Sequence, residues 1–357
     1  MLLTFVKLRS VIVEPVYVFH SRFNDEYSVE ARKILRQISE NARASISELS
    51  KATGVSRATV AKKLRQLESK LGIRYTFEPD EQKLGISSTH LIAVKLDEKP
   101  SDDELLKIFS ASYIPQGVVV TKGDYDLLVY AMSLNNMEYA HWDKSMQIEL
   151  AKYGVTWQSS WVVHRQLGFF PIRDELIDRL QIKQRDKEML KLLNENSRMS
   201  FQEMSRRLGM HFNTVAYSFN KLLKSGYVKR LTITMPPQRL FVLMSFFTKY
   251  QPRDGYEAAS AQARKAFMSD DRDSLVSRYL ICAPLIGTYD FFTLGAFDDY
   301  KTALRRDIAY HKSLFKKHNI KMKHATAERV LIGSLPIRSI DTAKEYNTIV
   351  WSVPQGA

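Results

Sequence analysis

The chain has 357 residues, nearly half of them hydrophobic, and a formal charge of +14. At roughly 150 residues per domain this length predicts two or more domains with ordinary cores, and the positive balance predicts an anionic partner. Cys282 is the sole cysteine, which excludes an intrachain disulfide framework and a cysteine-based zinc cluster; no apolar run reaches the roughly 18 residues that cross a bilayer.

The opening MLLTFVKLRSVIVEPVYVF is apolar but interrupted by Lys7, Arg9 and Glu14. Its β-branched alternation predicts a strand or an extension over residues 1–27 rather than a signal peptide, and a cytoplasmic location without membrane contact is the expectation. The charge is modular. Residues 1–85 hold 15 Lys and Arg against 10 Asp and Glu, residues 86–182 hold 9 against 13, residues 183–238 hold 11 against 4, and residues 239–357 hold 18 against 12.

Between Ile34 and Leu67 the chain matches itself without a gap at an offset of 155, with twelve identities in 34 positions. Among the identical pairs are Leu35 and Leu190, Arg43 and Arg198, Ser45 and Ser200, Gly54 and Gly209, and Thr59 and Thr214. So long a register predicts a duplication. Each copy reads as three short helices. Ile34, Leu35 and Ile38 give one apolar face, Ser45 or Ser47 caps a second helix, Gly54 breaks it, and Ser56 caps a third in which Val60, Leu64 and Leu67 recur at helical spacing. A helix, a glycine turn and a following helix make a helix-turn-helix. IRYTFEPDEQKLG and VKRLTITMPP then alternate like the strands of a small wing, one for each head.

After the first head, HLIAVKL (90–96) reads as a strand and SDDELLKIFSAS (101–112) as a helix capped by Ser101. Strands over 117–122 and 125–133 meet at KGDYD, a helix covers roughly 136–153, and VTWQSSWVVHR closes the unit. The second half offers LFVLMSFFTKY, a helix from about 255, RYLICAPLIG, YDFFTLGAF, a helix over about 298–318, and IKMKHATAERVLIG. The order βαββαβ predicts a ferredoxin-like α+β sandwich in each half. The expected organisation is an extension (1–27), a winged helix-turn-helix (28–85), an effector unit (86–167), a linker (168–182), a second winged helix-turn-helix (183–238), a second effector unit (239–338) and a tail (339–357).

This order, the tract ILRQISENARASISELSKATGVSRATVAKKLRQLE, and a Gly-x-Tyr-Asp turn in both halves resemble the leucine-responsive/asparagine-synthesis (Lrp/AsnC) transcription regulators, the archaeal ones in particular. The resemblance covers nearly the whole chain after residue 28, twice over. An ordinary member has one head and one effector domain and then dimerises; here two protomers read as fused.

A recognition helix presents its N-terminal residues to base edges in the major groove of double-stranded DNA. In the first head these are Ser56, Arg57, Thr59 and Lys62, with Lys63 and Arg65 placed for phosphate; the competing reading is a solvated basic face. The second head offers His211, Phe212, Asn213, Thr214, Tyr217 and Ser218 in the same places, with cations moved to Arg206, Arg207, Lys221, Lys224, Lys229 and Arg230. Two unlike reading surfaces suit an asymmetric site, or else the second helix docks a partner through its aromatics. The resemblance further implies that the effector units pair through their sheets and bind an amino acid or another small metabolite. Carried over by position, that site would comprise Gly123, Asp124, Tyr125 and Asp126 with Gly287, Thr288, Tyr289 and Asp290, although such a segment also makes a plain turn. Homodimers of the fused pair are a further expectation. A basic run from Lys301 to Lys323 is either a solvated face or added DNA affinity.

Siroheme decarboxylases share this architecture and supply the enzymatic alternative, in which histidines act on a tetrapyrrole. The histidines are His20, His90, His141, His164, His211, His311, His318 and His324. No compact cluster with Arg and Tyr stands in either Gly-x-Tyr-Asp region, and no nucleophile elbow, phosphate loop or metal spacing is present. A non-enzymatic regulator without a cofactor is therefore the expectation.

Overall fold

The computed structural model describes residues 28–163, 165, 168–235, 242–249, 279–297 and 321–336. The expected extension, the helices near 255 and over 298–318, most of the basic run, the tail, and His20, His164, His311 and His318 lie outside them.

In the first head, Ser28 caps α1 (Val29–Glu40), which buries Ile34, Leu35 and Ile38 as its apolar spacing requires. Ser45, rather than Ser47, caps α2 (Ile46–Thr53) through a reciprocal box with Glu48. Gly54 then turns the chain at φ 72°, a conformation that favours glycine. Ser56 accepts the Thr59 N–H and starts α3 (Arg57–Leu71), whose Val60, Leu64, Leu67 and Leu71 close the core of the head. β1 (Arg74–Pro79) follows.

β2 (Ser88–Lys95), α4 (Asp102–Ser110), β3 (Pro115–Gly123), β4 (Leu127–Ser133), α5 (Asn136–Leu150) and β5 (Thr156–Val162) form the expected βαββαβ order. Ile92, Val94, Val118, Val120, Leu127 and Val129 face α4 and α5, while Leu91, Ala93, Val119, Leu128, Tyr130 and Met132 face the opposite way, as a strand period of two dictates. The segment 168–182, expected as a linker, is packed. Phe169, Phe170 and Ile172 are buried, and a short α6 (Asp174–Arg179) buries Leu176 and Ile177.

The second head contains α7 (Gln184–Asn196), α8 (Phe201–Leu208) capped by Ser200, and α9 (Phe212–Ser225) capped by His211, with Gly209 at φ 61° in the turn. β6 (Val228–Met235), β7 (Val242–Lys249), β8 (Tyr279–Gly287), β9 (Phe291–Phe297), β10 (Lys321–Ile332) and β11 (Leu335–Pro336) complete the described elements.

One expectation is corrected by the sheets. The strands expected as separate wings instead pair with each other. β1 and β6 run antiparallel from Arg74↔Thr234 to Glu78↔Arg230, with β11 on the far edge of β6, so the two heads share one small sheet. The two βαββαβ units, expected to pair through their sheets, share one closed barrel, ordered β10-β3-β4-β2-β5-β8-β9-β7. The β3–β10 and β5–β8 ladders are the two seams joining the halves. Closure pairs both edges of each strand in the barrel. The interior is filled rather than hollow: Phe247 packs on Tyr125, Tyr289 and Phe292 at centroid distances of 5.5, 4.8 and 4.9 Å.

Candidate nucleic-acid interface and the head–barrel junction

The first head presents a free basic surface. Ser56, Arg57, Lys62 and Arg65 are exposed at and beyond the start of α3, and Thr59 and Lys63 are half-buried beside them. Ser56 Oγ lies 2.9 Å from Thr59 Oγ1, so these hydroxyls hold each other as well as the cap. Among the described residues no ion pair engages Arg57, Lys62, Lys63 or Arg65. Four guanidinium or ammonium groups beside a capped helix start suit base edges and phosphates.

The second head presents a different chemistry in the same place. His211, Phe212, Asn213, Thr214 and Tyr217 are exposed, whereas Ser218 is buried. His211 Nδ1 accepts the Asn213 N–H at 3.3 Å, and Phe212 packs edge-on against Phe201 at 6.0 Å. The flanking cations are more engaged than their spacing suggested. Arg206 pairs with Glu203 at 2.7 Å while remaining 77% exposed, and Arg207 pairs with Glu195 at 2.6 Å and Glu203 at 2.9 Å. Arg230 is half-buried in an ion pair with Glu78 of the first head. Lys221, Lys224 and Lys229 are exposed.

The Gly-x-Tyr-Asp turns are seam devices. A Cβ on Gly123 (φ 148°) would lie 2.5 Å from the His324 carbonyl oxygen, and one on Gly287 (φ 133°) 3.1 Å from that of Ser159. Tyr125 is buried in the barrel, its hydroxyl 2.5 Å from Ser245 Oγ, and Tyr289 donates to Gln158 Oε1 at 2.7 Å. Burial pushes the Tyr289 phenol up to about 12 and moves Tyr125 upward as well. Asp126 pairs with Lys99 at 2.8 Å and Lys95 at 3.1 Å, and Asp290 with Lys249 at 2.9 Å. Asp124 accepts the His324 N–H at 2.8 Å, and Thr288 donates to the Ser159 carbonyl at 3.2 Å. Tyr125 and Tyr289 are thus buried, while the side chains of Asp124, Asp126, Thr288 and Asp290 are engaged by neighbouring residues.

An open cleft of about 900 Å³ lies instead where the first head meets the barrel. Glu78, Asp80 and Glu81 face Trp161, Val163 and Arg165 across it, with Lys229 at its rim. Arg165 Nη2 is 2.5 Å from Glu81 Oε1, and its Nη1 donates to the Tyr130 hydroxyl at 3.1 Å. Burial opposes the Arg165 charge, but Glu81 and Tyr130 outweigh it and hold the guanidinium above its ordinary value. Tyr130 stacks on Phe170 at 3.7 Å. No spacing in the sequence marks this junction, because its residues come from three separate segments.

Two of the described histidines, His90 and His324, are held by neighbours, while His141 is exposed. His90 stacks on Tyr139 at 3.5 Å, and its ring nitrogens lie 3.2 Å from Ser159 Oγ and 3.1 Å from Ser88 Oγ; burial pushes it down to about 4 despite Asp143. His324 Nδ1 lies 3.2 Å from Asp124. Among the described residues no group of three or more His, Cys, Asp or Glu could hold a metal ion, and no helix is long and apolar enough to cross a membrane.

The winged helix-turn-helix DNA-binding family matches residues 31–70 and again 182–229. An uncharacterised HTH-type transcriptional regulator of Pyrococcus abyssi is 29% identical over 110 residues, 30% of this chain and 73% of that one. Another from Pyrococcus furiosus is 39% identical over 77 residues, so the chain spans about half of that relative's length (48%). Among solved structures, the siroheme decarboxylase NirDL superposes with a TM-score of 0.54 at 14% identity, covering 90% of this chain and 98% of its own. An AsnC family transcriptional regulator from Agrobacterium tumefaciens gives a TM-score of 0.34 at 19% identity over 39% of this chain. The chain thus carries two winged helix-turn-helix DNA-binding matches, one in each head, on the overall fold of NirDL.

Proposed function

We propose that this chain is a sequence-specific DNA-binding transcription regulator of the Lrp/AsnC type, in which a duplication has fused two protomers. The single observation that carries this reading is the free basic surface of α3, with Arg57, Lys62 and Arg65 exposed inside a segment matched by a DNA-binding family. The two heads are non-equivalent. The first suits guanine through Arg57 and Lys62, and the second suits adenine through Asn213 and thymine methyls through Phe212. Lys63, Arg65, Lys221, Lys224 and Lys229 supply contacts to phosphate. The barrel serves as the effector module, and an amino acid or other small metabolite acts on it to change how the heads are held. The protein works in the cytoplasm, as the internal pair or as dimers of it.

Fluorescence anisotropy with promoter fragments and random duplex tests this reading. Preference for particular fragments, lost in Arg57→Ala, supports it; equal binding to all sequences, or none at low salt, removes it.

A second reading is a siroheme decarboxylase-like enzyme, favoured by the NirDL likeness over nearly the whole chain. Against it, aromatic side chains fill the barrel interior, and both nitrogens of His90 are engaged by serines. Titration with iron-uroporphyrin III, which carries four acetate and four propionate groups, followed by absorbance, separates the readings. Stoichiometric binding with loss of carboxylate carbon as CO2 would establish the enzyme.

A further inference from the structure

Arg43 and Arg198, identical residues 155 positions apart, each cross into the other head. Arg43 Nη1 donates to the carbonyls of Ser197 at 2.9 Å and Met199 at 2.8 Å. Its guanidinium carbon lies 4.9 Å from the centroid of Phe201 and 5.0 Å from that of Phe219, a residue of α9. Arg198 donates to the Tyr75 hydroxyl at 3.1 Å and to the Ala44 carbonyl at 3.3 Å, and lies 4.9 Å from the Tyr75 centroid. Its Nη1 also lies 3.8 Å from Glu68, a residue of α3 that accepts the Tyr75 hydroxyl. Each arginine therefore touches the recognition helix of the opposite head.

The backbone repeats this reciprocity. The Ala42 N–H donates to the Leu231 carbonyl at 2.9 Å, and the Ser197 N–H to the Tyr75 carbonyl at 3.1 Å. Thr232 Oγ1 donates to the Ser39 carbonyl at 2.6 Å, and Thr76 Oγ1 lies 3.2 Å from Asn194 Oδ1. Together with the β1–β6 ladder these contacts join the two heads as one body. The ladder alone holds the strands and leaves the helix angles to side-chain packing. The arginines supply that packing, because a planar guanidinium stacks on aromatic rings and donates in a fixed fork, which lysine cannot do.

This arrangement also has a cost. Two like charges share a partly buried site, and an apolar pair of similar volume is often as stable. Fixed orientation, rather than added stability, is what two arginines contribute there.

We propose that Arg43 and Arg198 are positioning residues that set the mutual orientation of α3 and α9, so that the partner is a duplex carrying two half-sites at one fixed spacing. This rests on the DNA-binding reading. Neither residue touches DNA; both act through the opposite recognition helix.

The test begins with duplexes selected by the wild-type protein from a randomised library, footprinted to define the half-sites. Anisotropy then compares the intact site, each half-site alone, and sites with 2 or 5 base pairs inserted between them. The wild type is expected to lose at least about tenfold in affinity on insertion, as linked binding requires matched geometry. Arg43→Met with Arg198→Met should bind single half-sites within about twofold of wild type, lose about tenfold on the intact site, and become indifferent to the spacer. Arg43→Lys, which keeps charge and length, should show the same indifference in weaker form, and circular dichroism verifies folding of each variant. Retained spacing preference in the double variant overturns the proposal. So does a parallel loss on single and paired half-sites, which marks a merely structural role, or selection of only one half-site by the wild type. Absence of any sequence preference in the wild type instead defeats the DNA-binding reading beneath it.

Discussion

Glu81 and Arg165 meet at 2.5 Å at the one place where the first head, the end of β5 and the barrel residue Tyr130 come together. Glu81 lies on the path from the first head into the barrel, and Arg165 on the path from the barrel toward the second head. The pair is largely buried at the edge of the open cleft, so water only partly replaces a lost partner.

Removing one member should therefore cost more than removing both. Glu81→Gln or Arg165→Met alone is expected to destabilise by about 3 kcal/mol, the range for an orphaned buried charge, while the double variant recovers most of that loss. Urea denaturation of the three variants measures it, and additive losses would show that the two residues do not act as a pair.

The seam glycines give a graded prediction. Gly123→Ala would force a Cβ to 2.5 Å from a backbone oxygen, whereas Gly287→Ala meets one at 3.1 Å. Both positions carry positive φ, so both variants are strained, but only the first must also open its seam. Expected losses are about 3 kcal/mol for Gly123→Ala and about 1–2 kcal/mol for Gly287→Ala by thermal denaturation. The reverse order would contradict this account of the seams.

His90 predicts an acid-sensitive fold. Its folded-state value, about 4, lies below the ordinary 6.5, so above pH 6.5 both states are neutral and the group contributes nothing. As pH falls from 6.5 to 4 the unfolded chain takes up a proton that the folded chain refuses, and stability drops by up to about 1.4 kcal/mol per pH unit. His90→Phe, which keeps a ring against Tyr139, should flatten that slope in denaturation curves measured across the window. An unchanged slope would place the acid sensitivity elsewhere.

Phosphate contacts are read from salt. Lys63→Ala with Arg65→Ala should weaken binding to all duplexes alike and reduce the log–log salt slope by about 2, since each neutralised phosphate contributes about 0.9. Unchanged slopes would return these residues to the status of a solvated face.

Much of the local architecture was legible in the sequence because its signals are local. Ser45, Ser56 and Ser101 cap the helices that follow them, and Gly54 and Gly209 turn the chain, since caps and left-handed turns depend on residues within one helical turn. The short apolar run in 90–96 marks a strand for the same reason. What escaped was partnership. VKRLTITMPP reads as a wing whether it pairs with its own head or with β1, because strand periodicity carries no information about the neighbour. Nothing local to Tyr125 tells that its hydroxyl meets Ser245, and nothing local to Arg230 tells that Glu78 pairs with it from another segment. The one long-range signal was the offset of 155. Arg43 and Arg198 stood among its identical pairs, and a repeat that retains an arginine in both copies while changing the reading surface points toward the contact between copies.

The central claim is that the first head reads DNA sequence. Anisotropy of the purified protein with promoter fragments and random duplex over a salt series, repeated with Arg57→Ala, tests it most directly. The account predicts that the wild type binds particular fragments more tightly than random duplex, and that Arg57→Ala loses about ten- to a hundredfold of that preference while its affinity for random duplex changes little. Equal losses on specific and random DNA, or no binding at low salt, would contradict it.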